Sequence, residues 1–99
     1  MEPGTVIGLV WYKRADYARV LEVMQDRDVL PVTFDKWQKS AETGERHLRS
    51  RGGIPVRAYL HPDQFVAWCA ENGLDVDAKA RTRWGAEVAH RAVTGQSQH

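Results

Sequence analysis

Ninety-nine residues with 42% hydrophobic and 27% charged side chains suffice for one core of ordinary size and are too few for two. The formal charge of +1 gives the whole molecule no strong field toward nucleic acid or membranes. A lone cysteine excludes an internal disulfide. Four tryptophans, three tyrosines and two phenylalanines supply enough large apolar surface for a core that needs no metal staple.

The opening "MEPGTVIGLVWYKR" lacks the basic region of a secretory signal, and its apolar run is too short to cross a bilayer, so the expected compartment is the cytoplasm. "TVIGLVWY" is β-branched and aromatic, apolar at successive positions, and reads as a first strand covered on both faces. From Arg14 to Asp26 the residues Tyr17, Val20, Leu21 and Met24 recur at helical spacing and define a first amphipathic helix. Pro31 prevents that helix from running on.

Thr33 is placed to cap a second helix, with Val32 and Trp37 spaced as a hydrophobic staple across its start. Trp37, Ala41 and Leu48 continue one apolar face to about Ser50, where Gly52 and Gly53 supply the stop. "IPVRAYLH" then alternates. Ile54, Val56, Ala58 and Leu60 point one way, and Pro55, Arg57, Tyr59 and His61 the other, which predicts a strand with one buried face. Pro55 cannot donate to a ladder and puts this strand at an edge.

Pro62 suits the first position of a third helix, and Asp63 the positive end of its dipole. Phe65, Trp68, Cys69 and Asn72 share one of its faces, and "NGL" reads as a left-handed helix end, with Gly73 at positive φ and Leu74 packing back on Cys69. A fourth helix starts near Asp75 or Asp77, carries Val76, Ala80, Trp84 and Val88 on its inner stripe, and leaves Lys79, Arg81, Arg83 and Arg91 as a solvated face. The expected fold is a single α+β domain over residues 1–93, with a polar, disordered tail at 94–99. Its element order is strand, helix, helix, strand, helix, helix. If each element reverses the chain, the two strands form a small antiparallel sheet packed with four helices.

Few residues advertise chemistry. Cys69 sits among aromatic residues near a helix C-terminus with Glu71 and Asp75 close in sequence, a field that opposes a thiolate. The four histidines and one cysteine show no zinc-ligand spacing, "RSRGGIP" is not a phosphate loop, and no motif asks for a cofactor. A helix-turn-helix over the last two helices is disfavoured by Thr82 and Lys79 at positions that want apolar residues, and by Asp75 and Asp77 where phosphates would lie.

Charge is distributed unevenly. Residues 36–57 carry six basic and two acidic side chains, and residues 62–78 carry four acidic and no basic ones, which suggests two solvated faces of opposite sign.

The candidate ligand- or partner-binding face is the outer side of the second strand, where Arg57, Tyr59 and His61 line up with Trp11. It has the residue types of an interface hot spot, or of an anion or nucleotide platform. The leading expectation is a small non-enzymatic binding or accessory domain whose partner is a second copy or another protein. Self-association would go through the sheet, because a two-stranded sheet is marginal alone. Two alternatives belong to other classes. One is nucleic-acid binding through Lys36, Lys39, Arg46, Arg49 and Arg51. The other is a small enzyme with a His61-centred polar site, in which Asp63 or Tyr59 orients the imidazole.

"YARVLEVMQDRDVLPVTFDKW" followed by "PDQFVAWC...NGLDVDAKAR" resembles a family of small uncharacterised bacterial proteins with a segment of the type "PD.F..WC...G...D..AR". The resemblance covers most of residues 6–90. It implies a compact, cytoplasmic, bacterial α+β domain and carries no functional residue over to this chain.

Overall fold

The computed structural model describes residues 4–97. Two strands, β1 (Val6–Trp11) and β2 (Ile54–Tyr59), and four α-helices, α1 (Tyr17–Val23), α2 (Phe34–Ser50), α3 (Pro62–Glu71) and α4 (Ala78–Ser97), make an α+β architecture. Two single 3-10 turns, at Arg14–Asp16 and Arg27–Val29, are interposed before α1 and α2, so the order is longer than the expected alternation. Of the expected tail, residues 98 and 99 lie outside the described residues.

The strands are parallel, in register from Val6 opposite Ile54 to Trp11 opposite Tyr59. This corrects the expected antiparallel pairing, and the physical reason lies in α1. Tyr17, Val20 and Met24 are buried as the helical spacing requires, yet the helix ends at Val23 because Met24 turns extended. The Gln25 N–H then donates to the Val76 carbonyl at 2.8 Å, a tertiary bond that draws the chain out of the helix. At seven residues α1 is about 10 Å long and does not recross the sheet. Only α2, about 25 Å long over 17 residues, returns the chain. One return between two strands makes them parallel.

The two strands lie between helices. On one face Trp11 meets Trp37 of α2 edge-on, with ring centroids 5.2 Å apart. On the other, Gly8 and Gly85 bring the backbones of β1 and α4 together so closely that a Cβ on Gly8 would collide with the Gly85 carbonyl. The core holds Trp11, Tyr12, Tyr17, Val20, Met24, Trp37, Leu60, Phe65, Cys69 and Ala80. Two aromatic groups anchor it: Trp11, Tyr12, Tyr17, Phe34 and Trp37 around α2, and Phe65, Trp68 and Trp84 between α3 and α4.

Local signals read from sequence are present at the helix ends. Thr33 Oγ1 accepts from the Lys36 N–H at 3.2 Å. Gly73 has φ +66°, and the Leu74 N–H donates to the Cys69 carbonyl at 2.8 Å, the longer bond of a Schellman cap. The staple is absent: Val32 is 81% exposed, and Phe34 packs on Trp37 instead. Asn72 is also exposed rather than part of the α3 inner face, its amide donating to the Trp68 carbonyl.

Candidate functional site

The four residues of the candidate face divide into two places. Trp11 is 3% exposed and belongs to the core. The Arg57 guanidinium lies over its ring at 3.9 Å and donates from Nε and Nη2 to both carboxylate oxygens of Glu45, at 2.8 and 2.9 Å. The face is therefore roofed at this point by α2, and the fork that an anion would need is already filled by a carboxylate. The same hydrogen bonds hold the Glu45 carboxyl below the usual range and the Arg57 guanidinium above its own.

Tyr59 and His61 lie beyond that roof. With Lys13, Asp16, Leu60 and Gln64 they line a shallow depression of about 190 Å³. Lys13 Nζ sits 5.7 Å from the centre of the exposed Tyr59 ring. His61 is the N-cap of α3 without a side-chain capping bond, and Asp63 is engaged by Arg19 Nε at 3.0 Å. Neither residue proposed to orient the imidazole is bonded to it. Among the described residues, no three His, Cys, Asp or Glu side chains converge as metal ligands would.

The basic segment lies on α2. Lys36, Lys39 and Arg46 project from the side opposite Trp37 and Ala41, and are exposed. Asp35 and Glu42 interrupt them. Arg46 donates to Thr43 at 3.2 Å, Arg49 lies 3.7 Å from Glu45, and Arg51 forms the C-cap. The result is a mixed solvated helix face rather than a continuous positive stripe.

Two buried charges were missed in the sequence. Glu45 is 5% exposed and Arg81 is 9% exposed. Arg81 donates to both oxygens of Asp26, at 2.7 and 2.8 Å, which corrects its assignment to a solvated face. Their spacing held the signal: Glu45 is four residues after Ala41 and three before Leu48, and Arg81 is three before Trp84, so both lie on the inner stripes. Arg81 and Asp26 share a low-dielectric pocket with Tyr12, whose hydroxyl burial pushes up to about 12 against the opposing pull of Arg81. Cys69 is 1% exposed; burial, reinforced by the Asp77 charge, raises its thiol pKa, as suits a packing residue rather than a nucleophile.

An open surface lies along the edge of β1. The Ile54 N–H donates to the Thr5 carbonyl and the Leu60 N–H to the Trp11 carbonyl. In a parallel ladder this phase turns the backbone of Ile7, Leu9 and Trp11 toward β2 and that of Val6, Gly8 and Val10 away from it. Among the described residues, no third strand pairs with that outer edge. Grooves flank it. One of about 460 Å³ runs between β1 and α4, lined by Val6, Gly8, Thr82, Ala86, Ala89 and Val93 among others, and one of about 220 Å³ lies on the α2 side against Ala41, Gly44 and Leu48. The outer edge of β2 differs: its outward positions begin with Pro55, which has no N–H to offer.

Comparison of the chain with protein-family models, curated proteins and solved structures finds no match in any of the three. The resemblance to small bacterial proteins therefore stands as an expectation only.

Proposed function

We propose that the protein is a small non-enzymatic binding domain of the cytoplasm that self-associates through its sheet. The observation that carries this reading is the asymmetry of the two sheet edges. Among the described residues no strand pairs with the outward N–H and C=O groups of Val6, Gly8 and Val10, whereas the β2 edge is blunted by Pro55. An apolar strand with an open edge is a template for another strand. A two-stranded sheet gains most from such an addition. The depression at Tyr59 and His61 then becomes a surface presented twice by the assembled pair. No helix among the described residues is long and apolar enough to cross a membrane.

The test is size-exclusion light scattering over a dilution series reaching high micromolar protein. A mass that rises to twice the chain mass supports the reading; a monomeric mass at every concentration removes it.

A further inference from the structure

We infer that the second copy adds through an antiparallel pairing of the two β1 strands about a two-fold axis centred on Gly8. This inference rests on the self-association proposed above and specifies its register. "VIGLV", residues 6–10, reads as the same apolar pattern in both directions about Gly8. A two-fold axis at Gly8 sets Val6 opposite the partner's Val10, Ile7 opposite the partner's Leu9, and Gly8 opposite the partner's Gly8. β-Branched and aliphatic side chains then face each other across the strands on both sides of the sheet. No charge lies within the strand, so no like charges are opposed.

Backbone phase agrees with the pattern. Val6, Gly8 and Val10 are the residues whose N–H and C=O groups point outward, and an antiparallel pair centred on Gly8 joins these three with their counterparts. A pairing shifted by one residue would bring inward-bonded groups to the seam and is excluded by the phase. An isologous edge closes after two copies, and Pro55 at the far edge of each copy opposes further strand addition.

Small residues border the edge on both sides. On the α4 side the groove beside the edge is walled by Thr82, Ala86, Ala89, His90 and Val93, and at the first three positions the side chains are small enough for the partner's α4 to lie alongside. On the α2 side Gly44 borders the edge groove, and a Cβ there would meet nothing within 4 Å. A glycine inside a helix costs about 1 kcal/mol relative to alanine, and packing within the chain supplies no reason for it. Close approach of a second copy does.

The experiment mixes isotope-labelled and unlabelled full-length protein and records filtered NOEs between copies. The expected result is an intermolecular NOE between Val6 and Val10 methyl groups, which lie about 13 Å apart along one strand and cannot produce it within a chain. The Gly8 amide should exchange more slowly as the dimer population rises. Val6→Pro, which deletes one outward N–H from each copy, should raise the dimer dissociation constant about tenfold. A dimer whose intermolecular NOEs place the seam at Tyr59, or pair β1 in any register other than Val6 to Val10, overturns this inference and leaves self-association standing. A protein monomeric at all concentrations overturns both. If Val6→Pro fails to fold, the NOE pattern of the unaltered protein decides.

Discussion

Glu45 and Arg57 form a two-bonded ion pair across the interface between α2 and β2, with the Glu45 side chain 6% exposed and that of Arg57 39% exposed. The pair is unequal. Glu45 takes both its hydrogen bonds from Arg57, with Arg49 a weaker partner at 3.7 Å, while Arg57 can turn toward water.

Removing the two partners should therefore have different costs. Arg57→Ala leaves a buried carboxylate with only the longer Arg49 contact and is expected to destabilise the fold by about 3 kcal/mol. Glu45→Leu places an apolar residue on the Trp37, Ala41 and Leu48 face, frees Arg57 to solvent, and should lie within about 1 kcal/mol of the parent. Urea denaturation of the two variants measures the difference, and equal losses would refute the asymmetry.

Stability should fall at both ends of the pH range, for opposite reasons. Glu45 and Asp26 titrate below their usual values because Arg57 and Arg81 hydrogen-bond their charged forms. Their stabilisation is present above the unfolded carboxylate values near 4 and is lost as pH drops through the folded ones. Tyr12 is raised from 10.0 to about 12, chiefly by burial. It contributes below pH 10 and loses that contribution as pH climbs from 10.0 toward about 12. Denaturation midpoints should show a plateau near neutrality with two falling arms. Asp26→Asn should flatten the acid arm and Tyr12→Phe the alkaline one, leaving the part due to Tyr17, which burial also raises.

The meeting of β1 and α4 at Gly8 and Gly85 should tolerate one alanine better than the other. A Cβ on Gly8 falls inside the contact distance of the Gly85 carbonyl, and α4 must shift to admit it. Gly8→Ala is expected to cost about 3 kcal/mol. A Cβ on Gly85 would lie 2.9 Å from the Gly8 carbonyl oxygen and 3.6 Å from Val10 Cγ2. That crowding is milder, and alanine returns about 1 kcal/mol of helix propensity. Thermal melts should rank Gly8→Ala below Gly85→Ala, and the reverse order would show that α4 does not cross β1 as described.

What the sequence determined by itself was local. The Thr33 cap, the left-handed Gly73 turn closing on Cys69, the first position of α3 at Pro62, and the alternation of Ala58 and Leu60 with Arg57 and Tyr59 each depend on residues within a few positions of one another, and so leave a periodic or chemical mark. Pro55 likewise marked an edge, because its missing N–H constrains any sheet. Tertiary structure alone decided strand direction, which turned on the Gln25 bond to Val76 that ends α1 early. It also placed Arg57 beneath Glu45 and Arg81 beside Asp26, 55 residues away. A charged residue on an apolar stripe is ambiguous in sequence, since only a distant partner of opposite charge makes its burial affordable. Spacing shows where such a residue points, and the fold supplies what it meets there.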